Sequence, residues 1–100
     1  MYLGIDIGTS SVKAVIVDDK DTVVEQASAA LNVSRPNPGW SEQNPGDWWT
    51  ATCAAVKALP ARERKAVKAV GLSGQMHGAT LLDANDKPLR PAILWNDGRS

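Results

Sequence analysis

Phenylalanine is absent from this 100-residue chain, and histidine and cysteine occur once each. Without Phe, the core must be filled by Val, Ile, Leu, Ala and the four tryptophans. The single cysteine, Cys53, excludes an internal disulfide and suits a reducing compartment. No apolar run approaches the ~20 residues of a membrane span. Nor does a basic stretch precede an apolar one at the N-terminus, so no secretory leader is indicated and the cytoplasm is the expected location. An excess of either charge is missing too. Eleven basic and 11 acidic residues leave no electrostatic footprint for nucleic acid or an anionic membrane. The length suits one small domain, which buries only a modest share of its surface and gains from any further part that packs against it.

What is present reads as strands first. YLGIDI, residues 2–7, puts Leu3, Ile5 and Ile7 on one face and Gly4 and Asp6 on the other. A turn-rich GTSS follows, then VKAVIVD (12–18), a DDKD turn, and TVVEQASAAL (22–31) as a third strand. Joined by such short turns, these strands are expected to be antiparallel neighbours. Residues 32–47 hold three prolines and two glycines and read as a loop. It ends in a helix start, with Asn44 as N-cap, Pro45 at the first helical position and Asp47 in the first turn. The helix is predicted from Pro45 to about Leu59, with Trp48, Thr52, Ala55, Val56 and Leu59 on one face and Pro60 as its stop. ARERKA reads as a solvated connector and VKAVGLSG (67–74) as a buried strand, parallel to its neighbour because a helix leads to it. ATLLDANDKPLRP reads as a hairpin turning at 84–88, and AILWND as a last apolar run. Trp40, Trp48 and Trp49 read as packing residues, Trp40 alternatively as the shield of a ligand or a domain seam, and Cys53 as a small packed side chain. A three-stranded meander followed by a crossover helix differs from a Rossmann start, where the first strand feeds a helix directly.

Two segments carry polar chemistry. In IDIGTSS (5–11) a carboxylate, Asp6, interrupts an apolar strand, and Gly8, Thr9, Ser10 and Ser11 follow it. Structurally, Gly-Thr-Ser is ordinary turn chemistry that Asp6 can cap. Functionally, Gly8 admits close approach of a ligand, while the turn's N–H groups and hydroxyls suit phosphate oxygens. Asp6 then suits magnesium, which takes oxygen ligands and keeps part of its water. A carboxylate in a strand expected to be buried needs such a partner. Lys13 is either a solvated strand residue or an added positive charge. The second segment is GLSGQMHGAT (71–80), where the sole histidine, His77, stands beside Met76 in a glycine-rich bend. On spacing alone, a lone imidazole there reads as structural.

GIDIGTSSVKAVIVD resembles the first phosphate motif of the sugar kinase, Hsp70 and actin superfamily, whose domains are ribonuclease H-like. PNPGWSEQNPGDWW (36–49), GLSGQMHGATLLD and RPAILWNDGRS narrow the resemblance to the FGGY carbohydrate kinases, over essentially the whole chain. The fold class implied is α/β: a ribonuclease H-like N-terminal domain, with an antiparallel meander, a crossover helix and a parallel strand, incomplete in this chain. Within FGGY kinases, GQMHG is similar to the branch acting on D-xylulose, where the Met-His pair lines the sugar pocket. That role is implied for Met76 and His77 and, less directly, for Gln75, Asn96, Asp97 and Arg99. Asp97 and Arg99 equally read as an ion pair fixing their loop. A neutral imidazole donates and accepts hydrogen bonds, as sugar hydroxyls require, and a thioether makes a soft apolar wall.

The resemblance implies ATP and Mg²⁺ as cofactors, phosphate contacts at Gly8, Thr9, Ser10, Ser11 and Lys13, and Asp6 as the metal-positioning carboxylate important for activity. It implies D-xylulose 5-phosphate as product and a homodimeric parent. Residues 1–100 are expected to be the N-terminal part of the first of two kinase domains, without the catalytic base or adenosine site. The isolated chain is expected to be inactive and to self-associate or partly unfold. Rival readings are an FGGY kinase for ribulose, gluconate or a polyol, and a non-catalytic actin- or Hsp70-like nucleotide-binding module.

Overall fold

The computed structural model describes residues 1–99. Its first three strands are β1 (Tyr2–Ile7), β2 (Ser11–Val17) and β3 (Val23–Ala30), an antiparallel meander as expected. Strict alternation along β2 buries Val12, Ala14 and Ile16 and turns Lys13, Val15 and Val17 to the opposite face. The β1–β2 turn closes with the Gly8 amide donating to the Ser11 carbonyl at 3.0 Å. A Cβ on Gly8 would stand 3.0 Å from that same oxygen, so any larger residue would push the turn's backbone by a few tenths of an ångström.

The loop after β3 is less irregular than its composition suggests. It contains a two-residue strand, β4 (Glu42–Gln43), and Ser41, Glu42 and Gln43 are all buried. Helix α1 (Pro45–Ala58) starts where expected, with the Asn44 side chain accepting from the Gly46 amide at 2.9 Å. A cap of this kind contributes ~1 kcal/mol. The helix buries Ala51, Thr52, Ala55 and the following Leu59 against Leu3, Val12, Ala14, Ile16 and Leu31, with Trp48 and Val56 at the margin. Trp49, by contrast, is 72% exposed on the opposite face and is not a packing residue.

One expectation needs correction beyond α1. ARERKA is solvated as expected, and within it Ala61–Lys65 forms a short helix, α2, with no buried residue. The next strand, β5 (Ala69–Gly74), pairs parallel with β1, giving the order β3-β2-β1-β5, but it is exposed throughout. The physical reason is reach. Helix α1 packs over β3 and β2 and barely touches β1, so β5 lies beyond its cover. The hairpin at residues 83–87 forms, closed by the Asp83 amide donating to the Lys87 carbonyl at 2.8 Å. A last strand, β6 (Ala92–Ile93), pairs antiparallel with β4 in a separate two-stranded sheet.

Candidate active site

β1 and β5 run parallel and end side by side, so the segments leaving them are neighbours. β1 leads into the Gly8–Ser10 turn and β5 into Gln75, Met76 and His77. The last ladder bond, from the Gln75 amide to the Ile7 carbonyl at 2.8 Å, fixes their common starting point. The two motifs singled out in the sequence therefore meet at one end of the sheet.

Asp6 sits at that end of β1, but in a different setting from the one expected. It is exposed on the uncovered face of the sheet, opposite Lys13 on β2 and Ser73 on β5 in register. Its neighbours line a shallow depression of ≈ 330 Å³ that includes Gly4, Lys13, Gly71 and Ser73. A carboxylate there needs no buried partner, so burial gives no argument for a metal. The donor chemistry still fits one. A lone accessible carboxylate beside a hydroxyl-rich turn suits magnesium, which commonly takes one or two protein carboxylates and fills its shell with water and phosphate oxygens. Among the described residues, no group of three or more His, Cys, Asp or Glu side chains offers an all-protein cage.

Within the turn, the hydroxyls differ. Ser10 is exposed and Ser11 half-buried. The Thr9 hydroxyl is already engaged, donating to Gln75 Oε1 at 3.2 Å and accepting from the Trp95 indole N–H at 3.0 Å. The Gly8 amide is likewise used within the turn. Thr9 and the Gly8 N–H are thus part of the scaffold, and Ser10 and Ser11 are the hydroxyls of the turn outside this side-chain network.

On the β5 side, Gly74, Gln75, Met76, His77 and Trp95 line a recess of ≈ 310 Å³. His77 takes a left-handed conformation, φ +60°, uncommon for a residue with a Cβ. Such outliers cluster at ligand clamps, where surrounding structure holds them in place. Trp95 completes the wall, 55% exposed, with its indole N–H tied to Thr9. Sequence reasoning missed it; an exposed tryptophan at the end of an apolar run was the available signal.

Asp97 and Arg99 form the pair expected of them, away from this recess. Arg99 Nε donates to Asp97 Oδ1 at 3.0 Å and its Nη2 to Oδ2 at 2.6 Å. Asp97 also accepts from the Ser41 and Arg99 amides. The same guanidinium reaches Glu42 at 3.0 Å and lies over the Trp40 ring, 3.5 Å from its centroid. Arg90 meets Glu42 as well, at 2.5 Å. Arg99 holds Asp97 far below the usual carboxylate range and, with Arg90, lowers Glu42 too. The carboxylates in turn raise Arg99 further. This cluster buttresses the loop: Gly39, at φ +79°, accepts from the Gly98 amide at 2.6 Å. Asn96 is exposed in the turn just before Asp97 and is not part of the recess wall.

The family model for the N-terminal domain of the FGGY family of carbohydrate kinases matches residues 1–100. This chain belongs to that family. As an FGGY chain it is similar to the xylulose kinases of Klebsiella pneumoniae and Escherichia coli (strain K12), with 57% identity to each. Each alignment takes in 99% of this chain and 21% of the relative, so the chain spans about a fifth of their length. Among solved structures, a xyloylose kinase from Brucella ovis matches at 56% identity and a TM-score of 0.94, over 98% of this chain and 21% of that one. A xylulose kinase from Rhodospirillum rubrum matches at 34% identity and a TM-score of 0.87, with the same coverage. These neighbours support the ribonuclease H-like α/β fold class that the resemblance implied. Among the described residues of this FGGY chain, no helix is long and apolar enough to cross a membrane.

Proposed function

We propose that this chain supplies the sugar-side wall and the first phosphate-side turn of an ATP-dependent kinase that converts D-xylulose to D-xylulose 5-phosphate in the cytoplasm. The observation that carries the reading is the meeting of the Met76, His77 and Trp95 recess with the Gly8–Ser11 turn at one end of the β1–β5 pair. The identity to xylulose kinases supports the choice of sugar. In this reading, residues 1–100 are the N-terminal part of the first kinase domain of a longer, homodimeric protein; the catalytic base and adenosine site come from elsewhere in it.

His77 and Met76 bind the ketopentose. The imidazole exchanges hydrogen bonds with hydroxyl or carbonyl oxygens, and Met76 and Trp95 cover the carbon face. Ser10, Ser11 and Lys13 hold phosphate oxygens, and Asp6 holds the metal, directly or through water. Bound magnesium and ATP supply the γ-phosphoryl group and the charge neutralisation its transfer needs. What these residues contribute is placement, which accounts for a large part of such catalysis. His77 is a binding group here and not the base.

In the intact kinase, His77→Ala is expected to raise KM for D-xylulose at least ~10-fold while KM for ATP changes less than ~3-fold, consistent with a lost hydrogen bond to a ligand. Steady-state kinetics with each substrate varied separately measures this. An unchanged sugar KM removes His77 from the site.

A further inference from the structure

Beyond Gln75 the β1–β5 ladder ends, and two loops with different tasks leave the sheet. What holds them in register is a side chain from a third place in the chain. Gln43, on β4, is 2% exposed and lies between both loops and helix α1. Its Nε2 donates to the Thr9 carbonyl at 2.7 Å. Its Oε1 accepts from the Trp48 indole at 2.9 Å and from Gln75 Nε2 at 3.0 Å.

The chemistry of the partners fixes every direction in this network. An indole N–H only donates and a carbonyl only accepts, so the Gln43 amide has one orientation. Gln75 Nε2 then faces two acceptors, Gln43 Oε1 and the Gly8 carbonyl at 3.5 Å. Its Oε1 is left to accept from the Thr9 hydroxyl, whose oxygen accepts from Trp95. Thus the main chain of the phosphate turn (Gly8, Thr9) and the wall of the sugar recess (Gln75, Trp95) share one directional network, with Gln43 at its buried centre. Gln43 cannot shift without leaving its buried amide unpaired, which is costly.

We propose that Gln43 is a positioning residue that couples the two half-sites, setting the distance between the phosphate turn and the sugar recess. The inference rests on the reading of the site as a sugar kinase's. Gln43 acts through Thr9 and Gln75 and touches neither substrate. Because a displacement near 1 Å can cost about 10²-fold in rate, its loss falls on kcat and on communication between the sites.

The test uses the intact kinase and the variant Gln43→Met, which keeps the side-chain length and replaces the amide with an apolar thioether. One readout is kcat per folded enzyme, with circular dichroism giving the folded fraction. The other is the ratio of D-xylulose dissociation constants without and with a saturating non-hydrolysable ATP analogue. Wild-type enzyme is expected to bind sugar at least ~5-fold more tightly with the analogue, within the usual range of site-to-site coupling. Gln43→Met is expected to bring that ratio to within about 2-fold of unity and to lower kcat by about 10- to 100-fold. Should Gln43→Met not fold, Gln75→Met severs the same bridge from its half-exposed end, with the same expectation. A ratio near unity in wild-type enzyme, or a folded variant that keeps the wild-type ratio, overturns the proposal. Wild-type enzyme that phosphorylates no sugar defeats the functional reading and this inference with it; a working wild type with an indifferent variant defeats this inference alone.

Discussion

Arg99 joins three kinds of interaction on one guanidinium: a paired contact with Asp97, a shared contact with Glu42 and a stack on Trp40. Planarity and a fixed fork of donors make this an arginine task that lysine cannot take over. The consequence for pH follows from the carboxylates. Asp97 and Glu42 titrate below their usual values in the folded protein, chiefly through Arg99. Their contribution is therefore complete above the unfolded-state carboxylate range, about 4, and is lost as pH falls below it toward the lowered folded values. A plot of melting temperature against pH is expected to drop below about pH 4, and to drop less steeply in Asp97→Asn. An identical acid slope in that variant would show that the cluster does not contribute. The Asp97–Arg99 pair was legible in the sequence because its members stand two residues apart. Glu42 and Arg90 were not, since only the β4–β6 pairing brings residues so distant in sequence together.

At the scale of elements, the meander and α1 were legible because their signals are local: period-two alternation, short polar turns, and an Asn-Pro start with a Pro stop. What stayed hidden depends on where elements come to rest. VKAVGLSG has the composition of a buried strand, yet β5 is exposed because α1 packs over β3 and β2 and does not reach it; Leu72 is 78% exposed. Gln43 is the converse case, a polar residue in a Pro- and Gly-rich segment that reads as a loop, yet it is buried and bonded to partners at positions 9, 48 and 75. An uncovered apolar edge strand is a template for pairing with another chain. The isolated 100-residue chain is accordingly expected to sediment as oligomers, and Leu72→Lys to shift it toward monomer. A concentration-independent monomer for the unsubstituted chain would contradict this.

For the whole molecule, architecture and family follow from pattern and comparison together, whereas the chemistry depends on a junction. The Gly8–Ser11 turn and the recess at Met76 and His77 are 60-odd residues apart in sequence and adjacent only because β5 crosses over to lie parallel with β1. On the proposed reading this chain carries both half-sites while the catalytic base, whose contribution is typically about 10²–10⁴-fold, comes from elsewhere in the kinase, so no sugar phosphorylation is expected from these 100 residues alone. The claim that the intact kinase takes D-xylulose is tested most directly by coupled detection of ADP with D-xylulose, D-ribulose, gluconate and glycerol as acceptors. The expected result is the highest kcat/KM for D-xylulose. A higher value for any other acceptor, or ATP hydrolysis indifferent to every sugar, would contradict it.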